Sequence, residues 1–143
     1  MPSLTRWFIK TGFIHLIAAL IIGVAQVAPA AVPALPALRG FGPVYFHLFL
    51  VGWVTQMIFG VIYWMFPIES KARPRGRLWM GWLSYGLLNG GLWLRVAAEP
   101  LPSNVLTDGW GWLLLVSAVS QWLGITLFTL LAWPRIKDRY RGG

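Results

Sequence analysis

The 143-residue chain is 57% hydrophobic and 11% charged, with a mean hydropathy of +0.65, which excludes an ordinary soluble domain and indicates a protein surrounded by lipid. Because the chain contains no cysteine, disulfides, iron–sulfur clusters, thiolate metal sites and covalently attached heme are excluded. The net charge of +8 would suit nucleic acid, but the basic residues flank apolar segments, so they indicate membrane topology and no nucleic-acid partner is expected.

Four apolar runs are long enough to cross a hydrocarbon core, which takes about 20 residues. They cover approximately residues 7–28, 44–67, 78–97 and 110–133. The first run follows two basic residues as a secretory signal does, but we interpret it as a membrane span. The sequence therefore predicts one membrane domain over residues 1–143, an all-α bundle of four transmembrane helices. One proline is expected to end each helix: Pro29, Pro67, Pro100 and Pro134.

The basic residues are concentrated in the N-terminal segment, the middle connection and the C-terminal tail. Those three segments hold Arg6, Lys10, Lys71, Arg73, Arg75, Arg77, Arg135, Lys137, Arg139 and Arg141. The first and third connections hold only Arg39, with Arg95 at a helix end beside them. The positive-inside rule therefore predicts a multi-pass membrane protein with both termini in the cytoplasm, and the membrane expected is a prokaryotic inner (cell) membrane. Six tryptophans near helix ends fit interfacial anchors: Trp7, Trp79, Trp82, Trp110, Trp112 and Trp133.

Both histidines of the chain, His15 and His47, fall inside predicted spans. His15 lies about 12 Å from one end of its helix and His47 about 5 Å from the opposite membrane face, so their depths differ by roughly 15 Å. They are therefore poorly placed to ligate one metal within a single chain. An ionisable residue in a span is a candidate functional residue. The alternative for each is a neutral imidazole that is hydrogen-bonded to a carbonyl or a neighbouring helix.

Helical periodicity gives the second span two different faces. Around His47 lie apolar residues: Phe46, Leu50, Val51, Val54, Ile58 and Val61. On the opposite side lie Tyr45, Gly52, Gln56, Gly60 and Tyr63. The small-residue row is typical of helix packing, whereas an aliphatic wall beneath an imidazole is what a porphyrin would need.

The stretch "YFHLFLVGWVTQMIFGVIYWMFP" resembles the helix of heme–copper oxidase subunit I that bears a heme-ligating H-x-H pair and ends in an aromatic segment with proline. In that family the second histidine of the pair binds the low-spin heme and the first binds the high-spin heme. By position, His47 matches the low-spin ligand and Tyr45 replaces the high-spin ligand, which removes the second heme. The resemblance is specific over this stretch and general elsewhere. It implies that the chain is like one four-helix unit of subunit I.

The resemblance implies a noncovalent heme b whose iron is held by His47 of two protomers, because low-spin heme iron takes two axial ligands. A homo-oligomer is then expected, and a twofold dimer with one heme on its axis is favoured slightly over a trimer. Arg95 and Arg39 are candidates for the heme propionates, although Arg95 is also spaced for an i, i+4 pair with Glu99. The remaining candidate heme contacts are Tyr45, Val51 and Val54.

These features predict a b-type membrane cytochrome that transfers single electrons or senses a redox state or gas, with a quinone or a cytochrome as redox partner. The copper and high-spin heme ligands of an oxidase are missing, so a complete oxidase is not expected and enzymatic activity stays open. His15 also stays open as a second metal ligand, a quinone contact or a residue bonded to Thr11 or a neighbouring helix. The alternative function is a non-heme accessory or assembly subunit of a respiratory complex, docked through Gly52, Gln56 and Gly60.

Overall fold

The computed structural model describes residues 1–31, 41–100 and 109–136, with side chains described for all but residues 28–31. All regular structure in these ranges is helical, which confirms the predicted all-α class. The four long helices are α1 (Ser3–Ala31), α2 (Gly42–Met65), α3 (Leu78–Ala98) and α4 (Trp112–Ala132). A 3₁₀ turn, Trp133–Arg135, follows α4. We call the two ends of the bundle the His47 end and the Arg135 end.

Three of these helices are long and apolar enough to cross a membrane: Ser3–Val27 within α1, the whole of α2, and Trp112–Arg135. Helix α3 has 21 residues, which suffices in length, but Asn89, Arg95 and several glycines and tryptophans make it less apolar than the other three. Large apolar side chains are exposed along the outer faces of all four helices. The described part of the chain is therefore a helical membrane protein by length and composition.

Three of the four prolines end helices as predicted. Helix α2 ends at Met65, and Phe66 before Pro67 has extended dihedrals, φ −64° and ψ 149°. A residue before proline is disfavoured in the α region, which explains this end. Helices α3 and α4 each end two residues before a proline.

The prediction that Pro29 ends the first helix is wrong, because α1 continues to Ala31. Proline removes one hydrogen-bond donor from the helix, and that loss is tolerated in membrane helices where neighbouring structure supports the backbone. Helix α1 has such support near this end. A Cβ at Gly23 would lie 3.1 Å from the Tyr45 ring, so α2 packs closely against α1 there.

The packing consists of two helix pairs, α1 with α2 and α3 with α4, that meet in a core at the Arg135 end. This core contains Leu4, Phe8, Phe59, Tyr63, Leu88, Phe128, Leu131 and Ala132, which come from all four helices. The Phe59 and Phe128 rings stack with their centroids 3.8 Å apart, and Phe8 meets both rings edge-on. A smaller core at the His47 end contains Ala19, Val44, Leu48 and Leu92, from α1, α2 and α3.

Helices α3 and α4 approach closely because small residues face each other. The Ser117 hydroxyl donates to the Gly91 carbonyl at 2.7 Å, and the Ser84 hydroxyl donates to the Gly124 carbonyl at 2.6 Å. A Cβ added to Gly91 would lie 2.8 Å from the Ser117 carbonyl oxygen. Close backbone approach at small residues with interhelical hydrogen bonds is typical of membrane helix packing.

Helix α2 contains a π-helical segment, Leu48–Thr55, between two α-helical segments. The Thr55 hydroxyl donates to the carbonyl of Leu50, five residues earlier, at 2.9 Å. A π-helix has wider turns than an α-helix, and such segments are rare and frequent at functional sites. The side chains after His47 are therefore rotated relative to the faces predicted from a regular α-helix.

Arg135 caps the C-terminal end of α2. Its side chain is 1% exposed and donates to three carbonyl oxygens, those of Tyr63 at 3.1 Å, Phe66 at 2.8 Å and Pro67 at 3.0 Å. The last carbonyls of a helix lack intrahelical donors and carry partial negative charge, so a buried guanidinium stabilises them. In the sequence Arg135 is recognisable only as a topology signal, and its role at the end of α2 was not predicted.

Candidate functional site

His47 lies in the first α-helical segment of α2, with its ring held by its own helix. The Nδ1 atom is 2.8 Å from the carbonyl oxygen of Pro43, one turn earlier. A carbonyl only accepts, so Nδ1 carries the proton and donates, which leaves Nε2 with its lone pair. Metal-ligating histidines have this arrangement, in which the second ring nitrogen donates to a carbonyl or carboxylate. Within the described ranges, Nε2 makes no hydrogen bond.

The end of α3 places a charged pair beside this ring. The Arg95 Nε atom donates to Glu99 Oε2 at 3.1 Å, and the same carboxylate oxygen is 3.8 Å from His47 Nδ1. The second distance is too long for a hydrogen bond, so Glu99 acts on the imidazole through its charge. Arg95 is thus engaged in the i, i+4 pair that its spacing allowed. Arg39, the other predicted propionate contact, lies outside the described residues.

The His47 side chain is 29% exposed and opens onto an apolar outer face. That face is formed by side chains that are 41% to 60% exposed: Phe46, Leu50, Ile58 and Val61. Val54 is half-buried. Val51 is also half-buried and packs against both core clusters, so it is directed toward the interior of the chain. The apolar wall near His47 is therefore narrower than a regular α-helix predicts, in accord with the π-helical segment.

Tyr45 packs between α1 and α2. Its ring lies close to Gly23 and stacks on Phe49 with centroids 6.0 Å apart. The position that matches the high-spin ligand in the resemblance is therefore part of the packing between the first two helices.

His15 is 2% exposed and belongs to a polar cluster between α1, α2 and α3. The cluster consists of Thr11, His15, Gln56 and Asn89. Gln56 is fully buried and lies at its centre: its amide nitrogen is 3.0 Å from Asn89 Oδ1 and 3.1 Å from His15 Nδ1. The Thr11 hydroxyl donates to Gln56 Oε1 at 2.7 Å. Of the alternatives for His15, this geometry supports a neutral imidazole whose hydrogen bonds are made to neighbouring helices.

The Nδ1 atom of His15 can make either of two hydrogen bonds, and its protonation decides which one forms. With a proton on Nδ1 it donates to the Gly52 carbonyl at 3.1 Å, and without that proton Nδ1 accepts from Gln56 Nε2. Trp93 covers the ring edge-on, with centroids 5.9 Å apart. Either tautomer is therefore satisfied at Nδ1 by α2, and an external molecule would have to separate the helices to reach this atom.

The Gly52, Gln56 and Gly60 row packs inside the chain. A Cβ on Gly52 would lie 2.8 Å from His15 Cβ, and one on Gly60 would lie 3.1 Å from Ile9 Cγ1. Helix α1 thus fills this groove completely. The groove is occupied by α1 of the same chain, so an accessory subunit would need another docking surface, and that alternative function stays a prediction.

The two histidines are held at different levels of α2. His47 is hydrogen-bonded within the first turn of α2, whereas His15 of α1 contacts α2 at Gly52 and Gln56. Among the residues that the structure describes, no group of three or more His, Cys, Asp or Glu side chains is arranged to hold a metal ion. A single chain therefore offers one imidazole at the His47 face.

The fold and site together define an all-helical membrane protein with one oriented histidine on its apolar outer face. Comparisons with protein-family models, with curated proteins and with solved structures each gave no match. The functional assignment therefore depends on the geometry of this chain and on the sequence resemblance of α2.

Proposed function

We propose that this protein is a b-type membrane cytochrome in which His47 from two copies of the chain ligates one heme iron. The observation that carries the proposal is the His47 ring, whose Nδ1–H donates to the Pro43 carbonyl while Nε2 has no hydrogen-bond partner among the described residues. The resemblance of this helix to the heme-bearing helix of heme–copper oxidase subunit I supports the choice of heme over an isolated metal ion. The protein then transfers single electrons, or senses a redox state or gas.

The residues near His47 fit this group in part. Phe46 and Leu50, beside His47 on the outer face, are exposed and apolar, as a surface against a porphyrin requires. Arg95 already pairs with Glu99, so a propionate would have to share or displace that carboxylate. A bound heme would supply reversible one-electron chemistry at iron, tuned by its axial ligands and their surroundings.

A second copy of the chain is part of the proposal. Low-spin heme iron takes two axial ligands, and one chain has one histidine on this face. Because His47 is on an outer surface, the same residue of a second copy can approach from the opposite side, which is the arrangement of a twofold dimer. A trimer would leave one imidazole unmatched.

We further propose that α3 is a fourth membrane span, with both termini in the cytoplasm of a prokaryotic cell and a quinone or cytochrome as redox partner. Helix α3 packs along α4 through small residues, and six tryptophans near the helix ends are exposed, as interfacial anchors are: Trp7, Trp79, Trp82, Trp110, Trp112 and Trp133. The excess of basic residues at the Arg135 end supports the orientation.

The test is the visible spectrum of the purified protein, supplied with heme during expression. The wild type is expected to show sharp reduced-minus-oxidised bands with one heme per two chains, and His47→Ala is expected to remove them. His15→Gln is the matched control, because it also removes one imidazole but leaves the His47 face intact. A colourless wild type refutes the proposal. So does a spectrum that survives His47→Ala, or one that a folded His15→Gln variant loses equally.

A further inference from the structure

The connection between α2 and α3 forms a basic, partly apolar groove at the Arg135 end. An open cavity of about 470 Å³ is lined by Arg73, Gly76, Arg77, Leu78 and Trp79. A neighbouring cavity of about 250 Å³ shares Arg73, Gly76 and Leu78 with it. The two cavities form one continuous surface that combines three arginines, Arg73, Arg75 and Arg77, with the first turn of α3. We call this surface the arginine groove.

We propose that the arginine groove binds the phosphate of one anionic phospholipid. This inference is independent of heme and of the function proposed above. It rests on the unpaired charge of the groove, on the fixed shape of its backbone and on the exposed apolar side chains at its edge.

Two of the three arginines of the groove carry charges that no described residue neutralises. Arg73 and Arg77 are both exposed, and neither side chain makes an ion pair or hydrogen bond within the described part of the chain. Residues 69–77 contain four basic side chains against one acidic side chain, Glu69. Glu69 lines a separate cavity with Arg77 and Met80. Anionic headgroups bind at such unneutralised basic pockets on the cytoplasmic side of membrane proteins.

The backbone of the groove is held by hydrogen bonds within the connection. The Glu69 N–H donates to the Pro74 carbonyl at 3.0 Å, and the Arg73 N–H donates to the Ser70 hydroxyl at 3.0 Å. Gly76 has φ +75°, and a Cβ there would lie 2.8 Å from both a Glu69 carboxylate oxygen and Leu131 of α4. The connection therefore packs against α4 in one shape, so little conformational entropy is lost when a ligand binds.

The apolar edge favours a lipid over a free anion. Leu78 is 63% exposed and Trp79 is 57% exposed, and both stand in the first turn of α3 directly after Arg77. Tryptophan is enriched where headgroups meet acyl chains. A phospholipid offers a phosphate for the arginines and an acyl chain for Leu78 and Trp79, whereas inorganic phosphate offers only the first.

Native mass spectrometry of the intact protein in detergent tests the proposal, with phosphatidylglycerol and phosphatidylcholine as probes. The wild type is expected to retain one phosphatidylglycerol with roughly tenfold preference over phosphatidylcholine, as one or two charged contacts give. The double variant Arg73→Gln/Arg77→Gln is expected to lose that preference. The matched control is Arg6→Gln/Lys10→Gln, which removes two exposed charges from the same end of the bundle but outside the groove.

The outcomes separate a site from general attraction. Equal losses in the two double variants would overturn the proposal, because attraction between net charges would then explain the binding. Competition by inorganic phosphate at concentrations matched to the lipid would also overturn it, since the groove would then be an anion site without use for the acyl chain. Trp79→Ala is expected to weaken phosphatidylglycerol binding several-fold without altering net charge. Circular dichroism of every variant checks that the helices remain folded.

Discussion

Gly52→Ala tests whether α1 and α2 are packed as tightly as the His15 cluster requires. The added Cβ would lie 2.8 Å from His15 Cβ, 2.9 Å from His15 Cγ and 2.9 Å from Leu92 Cδ2. Carbon atoms pack best at about 3.5–4.0 Å, so α1 and α3 would both have to retreat by on the order of 1 Å. His15 Cβ is fixed to the backbone of α1, so rotation of a side chain cannot relieve this contact.

The expected change in the free energy of unfolding combines two destabilising contributions and one stabilising contribution. Overpacking of a well-packed interior costs about 1–3 kcal/mol, and stretching the His15–Gly52 hydrogen bond adds about 0.5–1 kcal/mol. Replacing glycine by alanine within a helix returns about 0.5–1 kcal/mol. We therefore expect Gly52→Ala to lower the free energy of unfolding by about 2 kcal/mol, the difference of the mid-range contributions.

The assay is reversible unfolding in mixed detergent micelles with increasing SDS, followed by circular dichroism. Gly90→Ala is the matched control, because a Cβ on Gly90 meets nothing within 4 Å, and it is expected to be neutral or slightly stabilising. Gly60→Ala, whose Cβ would lie 3.1 Å from Ile9 Cγ1, is expected to fall between the two. If Gly52→Ala is as stable as Gly90→Ala, the packing of His15 against α2 described above is refuted.

Three further substitutions test separate features. Arg135→Gln removes the guanidinium that donates to three carbonyls at the end of α2, so the free energy of unfolding in SDS is expected to fall by about 2–4 kcal/mol. The control Arg6→Gln, at an exposed position, is expected to change this free energy little. Similar values for both variants would argue against the Arg135 cap. Gln56→Leu removes the donor to Asn89 Oδ1, while Asn89 Nδ2 keeps the Tyr85 carbonyl, and should cost about 1 kcal/mol in the same assay; no cost would contradict the cluster. Glu99→Gln should raise the reduction potential of bound heme in a spectroscopic titration, because the carboxylate near His47 stabilises ferric iron; an unchanged or lowered potential would oppose that role.

The positions of the helices could be predicted because each rests on a local signal. Runs of apolar residues locate all four helices, and three of the helices end two residues before a proline, at Pro67, Pro100 and Pro134. Only at Pro67 does the preceding residue leave the α region, as the steric rule requires. The small-residue face of α2 could also be predicted, since Gly52, Gln56 and Gly60 recur every fourth position and lie buried against α1.

The remaining features depend on contacts between distant parts of the chain. The π-helical segment of α2 is a choice of hydrogen-bond register, and no residue from Leu48 to Thr55 dictates it locally. The Arg135 cap exists because the end of α4 reaches the end of α2. Glu99 reaches His47 because α3 packs beside α2 at that level. For Arg135 and Glu99 the sequence shows a charged residue but cannot show which group it meets.

The contrast between the two histidines explains why the functional assignment depends on His47. His15 is enclosed by three helices, and Gly52 lacks the side chain that would exclude it, so the sequence has adapted to pack this ring inside. The ring of His47 is also oriented, by Pro43, but its side chain is 29% exposed beside the exposed apolar residues Phe46 and Leu50. A ring nitrogen without a hydrogen-bond partner in apolar surroundings is costly unless it gains one. None of the described residues supplies that partner, and the ligand that we propose, shared with another copy of the chain, would supply it.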